Sequence, residues 1–304
     1  MKNLLPLMQR EWLQHRFGWS LMFLIPLALG VALASFGQFN ISPEKLERLG
    51  PTLPQLVASV TVVSTLSTML LVGWVASVII VSGLPRRDHG DRSVEFWLSL
   101  PSTHSESLAA PLVVHLLLVP AAAVLAGLAG GWLISLLAVG RISGLGAWFS
   151  LPLGPLFAGT ASMALRFLAG LPLATLWLLP LMLTVMLMTA LFRRWGWVIL
   201  AVGFGLGSQL MERLFGQPML SELIKNLFIG AGRSMVASPN GFNVGPEQNI
   251  AQTVGEMPAF FLHDFGLALK NLGSPLLLGG LVFSAGCFAL LVLWRQRMGA
   301  ASGG

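Results

Sequence analysis

Residues 57–84, VASVTVVSTLSTMLLVGWVASVIIVSGL, contain no Asp, Glu, Lys or Arg. The run exceeds the roughly 20 apolar residues that a helix needs to cross a bilayer, so it reads as a membrane span. Working outward, five more windows qualify: 17–36 before it, and 108–139, 171–192, 195–214 and 275–294 after it. Window 108–139 is too long for one upright span and is expected to tilt or to run into a loop. Between 147 and 168, Pro152, Pro155 and polar residues interrupt the apolar pattern, and a re-entrant or interfacial piece is expected. The fold class is therefore all-α integral membrane, a single domain over 1–304 with six transmembrane helices and both termini on one side.

Composition agrees. Apolar side chains make up 55% and charged ones 10% of the chain, against about 25% charged in soluble domains. Mean hydropathy is +0.78. The net charge of +6 does not point to nucleic acid, because the 18 Lys and Arg residues fall singly or in pairs between the apolar runs. They read as topology signals. Cys287 is the single cysteine, which excludes a disulfide within the chain and a cysteine metal cluster. Ala32-Leu33-Ala34-Ser35 resembles a signal-peptidase site, but the apolar stretch outruns the usual h-region of about 7 to 15 residues, and no cleavage is expected.

Orientation follows from the basic residues. Lys2, Arg10, Arg16, Arg86, Arg87, Arg92, Arg193, Arg194, Arg295 and Arg297 fall on one side, against five acidic residues, for a net of +5. The other side carries 8 basic and 7 acidic residues over much longer loops. The first side is expected to be cytoplasmic, with both termini, the loop 85–107 and the Arg193-Arg194 turn, and the membrane to be a bacterial cytoplasmic (inner) one.

Residues 1–16 place Leu5, Met8 and Trp12 on one helical face and Arg10 and Gln14 on the other. This suits an interfacial helix lying on the membrane, the alternative being a plain extension of the first span. The loop 215–274 holds helix-like stretches at 219–227 and 258–271 around a Pro- and Gly-rich middle, Ser238-Pro239-Asn240-Gly241 and Gly245-Pro246. It is expected to form an external helical cap, with a solvated linker as the alternative for its middle. Gly127 with Gly131 and Gly203 with Gly207 repeat at the four-residue spacing that lets helices approach closely in lipid, within one chain or between subunits.

Catalytic motifs are missing. None of Lys2, Lys45, Lys225 and Lys270 follows a glycine, so the chain has no P-loop for ATP phosphates, and neither H-E-x-x-H nor G-x-S-x-G occurs. Catalytic residues and metal ligands are therefore assigned to none. His115 lies inside a span, where a neutral imidazole held by a backbone carbonyl or a neighbouring helix is expected. His263-Asp264 could be imagined as an acid–base pair, yet adjacent helical residues point apart, and a solvated surface is expected. All six window interiors lack ionisable Asp, Glu, Lys and Arg, whereas ion-coupled transporters carry such groups as relays. Energy should then come from outside the chain.

The most distinctive polar segment is Leu84-Pro85-Arg86-Arg87-Asp88-His89-Gly90-Asp91-Arg92 followed by Ser93-Val94-Glu95-Phe96-Trp97-Leu98-Ser99-Leu100-Pro101-Ser102-Thr103. Ser93 reads as a helix N-cap, Phe96, Trp97 and Leu100 as an amphipathic turn, and Pro101 as its stop. A charged stretch leading into S-V-E-F-W-L-S-L-P between the second and third of six spans resembles the permease subunits of ATP-binding-cassette exporters of the type-2 class. The resemblance extends in outline to the amphipathic N-terminal helix, the basic turn between spans four and five and the long external segment before span six.

That resemblance implies a coupling helix docking on a separate ATPase, with Asp88, Asp91, Arg92, Glu95, Phe96 and Trp97 at the contact and Leu5, Met8 and Trp12 in the interfacial (elbow) helix. It implies a homodimer, ATP and magnesium held by the partner ATPase and no cofactor on this chain, membrane lipids as surroundings, and no nucleic acid. The chain would be a transport subunit and not itself an enzyme. An intramembrane enzyme using His115 or His263, and a non-transporting scaffold or immunity protein, share the composition and stay open. Neither gives a reason for a docking helix.

Overall fold

The computed structural model describes residues 4–38, 49–90, 103–238 and 250–302, with backbone alone at 4, 51, 86–90, 250–254 and 298–302. Every regular element among them is helical. Helix α1 spans Leu4–Phe36; α2 spans Leu53–Gly90 after a 3-10 turn at Gly50–Thr52. Helices α3 (His104–Val113) and α4 (Val119–Ser143) are joined by a π-helical turn, Val114–Leu118. The short α5 (Leu145–Phe149) precedes α6 (Leu153–Phe192), and α7 (Gly196–Phe215) follows a 3-10 turn at Arg193–Trp195. Then come α8 (Met219–Met235), α9 (Ile250–Lys270) and α10 (Pro275–Ser302). Five stretches are long and apolar enough to cross a membrane, the fourth of which, Leu153–Phe215, contains both α6 and α7. The chain is an all-helical protein built to sit in a bilayer.

Three elements differ from the sequence expectation. Within the expected interfacial segment 1–16, residues 4–16 do not form a separate helix: α1 runs unbroken from Leu4 for 33 residues, because its early proline, Pro6, lies in the first turn, where the missing N–H has no partner to lose. At about 1.5 Å per residue α1 is near 50 Å long, well beyond a hydrocarbon core of about 30 Å. The piece expected to be re-entrant at 147–168 is mostly the first half of α6, a helix of 40 residues. Pro152 and Pro155 lie at its N-cap and first turn, where proline starts a helix and does not interrupt one. Pro85, in turn, leaves α2 unbroken as far as Gly90.

The third crossing shows how this chain handles its prolines. Pro120 supplies no N–H, and the carbonyl of Leu116, four residues back, accepts a hydrogen bond from Thr175 Oγ1 of α6 at 3.3 Å. In a similar bond between helices, Thr189 Oγ1 donates to the Ser82 carbonyl of α2 at 2.8 Å. Ser and Thr hydroxyls from neighbouring helices are the usual remedy where water is absent.

Helix directions follow from who meets whom. A Cβ at Gly73 would meet Ala123, one at Gly127 would meet Leu66, and one at Gly131 would meet Val62, so α2 and α4 are antiparallel. Gly130 approaches Leu27 and Gly30 approaches Ile134, so α1 and α4 are parallel. Trp132 Nε1 donates to Thr160 Oγ1 at 3.2 Å, while Thr175 reaches Leu116, making α6 antiparallel to α4. Val81, Leu84, Leu108, Met186, Ala190 and Leu291 share one cluster. The starts of α1 and α3 and the ends of α2, α6 and α10 therefore gather at one end of the bundle. Arg295 Nη1 ties that end together with a 2.7 Å bond to Ser107 Oγ. Thr103 starts α3 there with a capping box: its hydroxyl takes the Glu106 N–H, and the Glu106 carboxylate takes the Thr103 N–H.

The two glycine pairs behave differently. At Gly127 an added Cβ would stand 2.9 Å from the Leu66 Cα, and at Gly131 3.0 Å from the Val62 Cα, so backbone meets backbone. At Gly203 it would meet nothing within 4 Å. Gly127→Ala should therefore destabilise the protein by about 1–3 kcal/mol through overpacking, and Gly203→Ala should not. Thermal unfolding in detergent measures both; equal midpoints would contradict the close α2–α4 approach.

Candidate functional site

Leu5, Met8 and Trp12, three residues that helical spacing places on one face of α1, do line one surface. With Trp19 of α1 and Val114 and Val119 opposite, they border an apolar cleft of about 270 Å³. Leu5 and Trp12 are exposed, and the Trp12 and Trp19 rings lie 5.3 Å apart. An apolar cleft of this kind has the chemistry to take an acyl chain or another apolar segment.

Beside the cleft is a polar cluster that the sequence reading did not assemble. Glu11 and His15 are one helical turn apart on α1 and so share a face; His115 reaches them from the π-helical turn. Glu11 and His115 are both fully buried. Glu11 Oε1 accepts from Arg10 Nη2 at 2.8 Å. The other oxygen, Oε2, stands 3.4 Å from His115 Nε2 and 3.9 Å from His15 Nε2. The imidazoles of His15 and His115 meet edge to face at 5.3 Å, and Trp19 meets His115 in the same manner at 5.4 Å. Among the described residues neither ring nitrogen of His115 makes a hydrogen bond. Of the two expected surroundings, a backbone carbonyl or a neighbouring helix, it is the neighbouring helix α1 that meets His115. Glu-x-x-x-His at 11–15 was legible as a shared helical face; its approach to His115 depends on how α1 and α3 pack.

A second buried polar group lies toward the opposite end. Arg166, in the apolar α6, donates through Nε to Asp264 Oδ2 at 2.9 Å and through Nη1 to the Ser234 carbonyl at 2.7 Å. Asp264 also accepts from the backbone N–H groups of Ala237 and Ser238, at 3.0 Å and 2.6 Å. Burial opposes ionisation of Asp264, but these hydrogen bonds and the Arg166 guanidinium outweigh it and hold the carboxyl below the usual carboxylate range. This corrects two expectations. Asp264 is buried, not solvated, although His263 beside it is exposed as expected. And α6 does carry an ionisable residue, because the helix extends back past the window 171–192 that looked charge-free. The arrangement is a clamp that holds α8, α9 and the chain after Met235 against α6.

Of the residues expected at the ATPase contact, Asp88 falls in the last turn of α2, its side chain outside the description. Asp91, Arg92, Glu95, Phe96 and Trp97 lie outside the described residues. No family model, curated protein or solved structure matches the chain.

Asp264→Asn should leave Arg166 buried without its counter-charge and cost about 3–5 kcal/mol. Because its native pKa is depressed, Asp264 stabilises the fold above its unfolded-state pKa, and that contribution fades as pH falls through the native value. Unfolding midpoints measured against pH should drop in acid for the natural protein and less steeply for Asp264→Asn.

Proposed function

We infer that the chain is the membrane-spanning subunit of an ATP-binding-cassette exporter of the type-2 class. Two copies pair around a path, and separate ATPases bind the segment around Asp88 to Ser102. On this reading α1, α2, the α3–α4 pair, α6, α7 and α10 are the six crossings, and α8 and α9 are the external cap. The basic end faces the cytoplasm, under the positive-inside rule.

The observation that carries the reading is the sequence Ser93-Val94-Glu95-Phe96-Trp97-Leu98-Ser99-Leu100-Pro101 and the bundle end at which α2 finishes and α3 starts on either side of it. Its flanking helices leave and return where α1 begins and α10 finishes, beside Arg193, Arg194 and Arg295. A Phe and a Trp in a polar connection need a surface to bury them, and a groove on an ATPase provides one. The absence of a P-loop in the chain fits a division of labour in which ATP and magnesium stay on the partner. Six mostly apolar helices make a poor conduit alone, hence the second copy, and their apolar surfaces favour an amphipathic, lipidic or peptidic cargo over a small ion.

Glu95→Arg and Trp97→Ala should each weaken co-purification with the partner ATPase and uncouple ATP hydrolysis from transport, with membrane insertion unchanged. ATPase association that survives both substitutions would overturn the assignment. An intramembrane enzyme is tested separately by replacing His115 and His263 together.

A further inference from the structure

We propose that Glu11, His15 and His115 form a binding site for one divalent transition-metal cation of the zinc class, fastening α1 to the π-helical turn. One donor atom from each residue lies within 4.8 Å of the others. Donors held about 2.0–2.1 Å from zinc at tetrahedral angles stand roughly 3.3 Å apart. The Glu11–His115 separation of 3.4 Å is already at that value, and the Glu11–His15 separation of 3.9 Å is within reach of a small side-chain adjustment. His15 is the ligand able to make it, since its side chain keeps 26% of its exposure while the other two keep none.

A second observation points to a ligand independently. A buried imidazole with neither nitrogen hydrogen-bonded is costly, and such groups call for an unseen partner. His115 is in that condition, aimed at a buried carboxylate. A metal ion takes up a His115 lone pair and binds the Glu11 carboxylate in one step. Arg10, bonded to the remaining Glu11 oxygen at 2.8 Å, orients the carboxylate as outer-shell partners of metal ligands do. Imidazole donors favour zinc and its neighbours over calcium or magnesium, which prefer oxygen. The placement in a π-helical turn agrees with the frequent use of such turns at functional sites. Nothing in the proposal depends on the transport reading.

The test uses the purified full-length protein in detergent, stripped of metal with a chelator. Titration with Co²⁺ should give the intense visible absorption of a four-coordinate ion, saturating at one per chain, and Zn²⁺ should displace it. His15→Gln, at a partly exposed position, should keep the fold while weakening Zn²⁺ binding at least about tenfold, the lower end of what even an outer-shell loss costs. Glu11→Gln and His115→Gln should abolish the Co²⁺ spectrum, and Zn²⁺ should raise the unfolding midpoint of the natural protein but not of His15→Gln. Absence of one-to-one binding by the natural protein overturns the site. So does a spectrum and affinity unchanged in His15→Gln, which would mean an adventitious ion only.

Discussion

Inside a hydrocarbon layer a backbone carbonyl or a buried charge has no water to turn to, and this requirement organises the molecule at every scale. It makes every described element a helix. At Pro120 it shows in a single bond: the carbonyl of Leu116, four residues before the proline, is taken by the Thr175 hydroxyl of another helix. This bond and that of Thr189 to the Ser82 carbonyl fix the rotation and height of one helix against another, which apolar side chains alone would specify loosely.

The same requirement separates the two buried ionic groups. Arg166 and Asp264 satisfy one another and recruit three backbone groups from the chain at 234–238, so their charges are consumed in holding the far end of the bundle together. At the basic end the accounts do not close in the same way. Glu11 and His115 are equally buried, yet both His115 nitrogens lack hydrogen-bond partners. The first group ties three elements together through its hydrogen bonds; the second lies next to a cleft and a π-helical turn, with both nitrogens of a buried imidazole free of hydrogen bonds among the described residues.

Close backbone approach forms a third layer of the design. Gly127 and Gly131 let α4 meet the backbone of α2, and α6 packs across both. In α7 only Gly196 is buried, which leaves its length turned to lipid or to another protein surface. The identical spacing of Gly203 and Gly207 thus carries no packing within the chain comparable to that of the first pair. Motif spacing alone did not distinguish the two.

By itself the sequence determined that the chain is helical and built for a bilayer, that basic residues collect at one end, that Leu5, Met8 and Trp12 share a face, and that no P-loop is present. Each of these depends on residues close in the chain, through run length or helical period. It misjudged where helices start, because Pro152 and Pro155 looked like interruptions and are initiators. Only the tertiary structure decided that Arg166 meets Asp264, 98 residues away, and that Glu11 meets His115. Those encounters depend on the rotation and register of packed helices, which in an apolar chain are set by many small contacts and a few interhelical hydrogen bonds that no local pattern records.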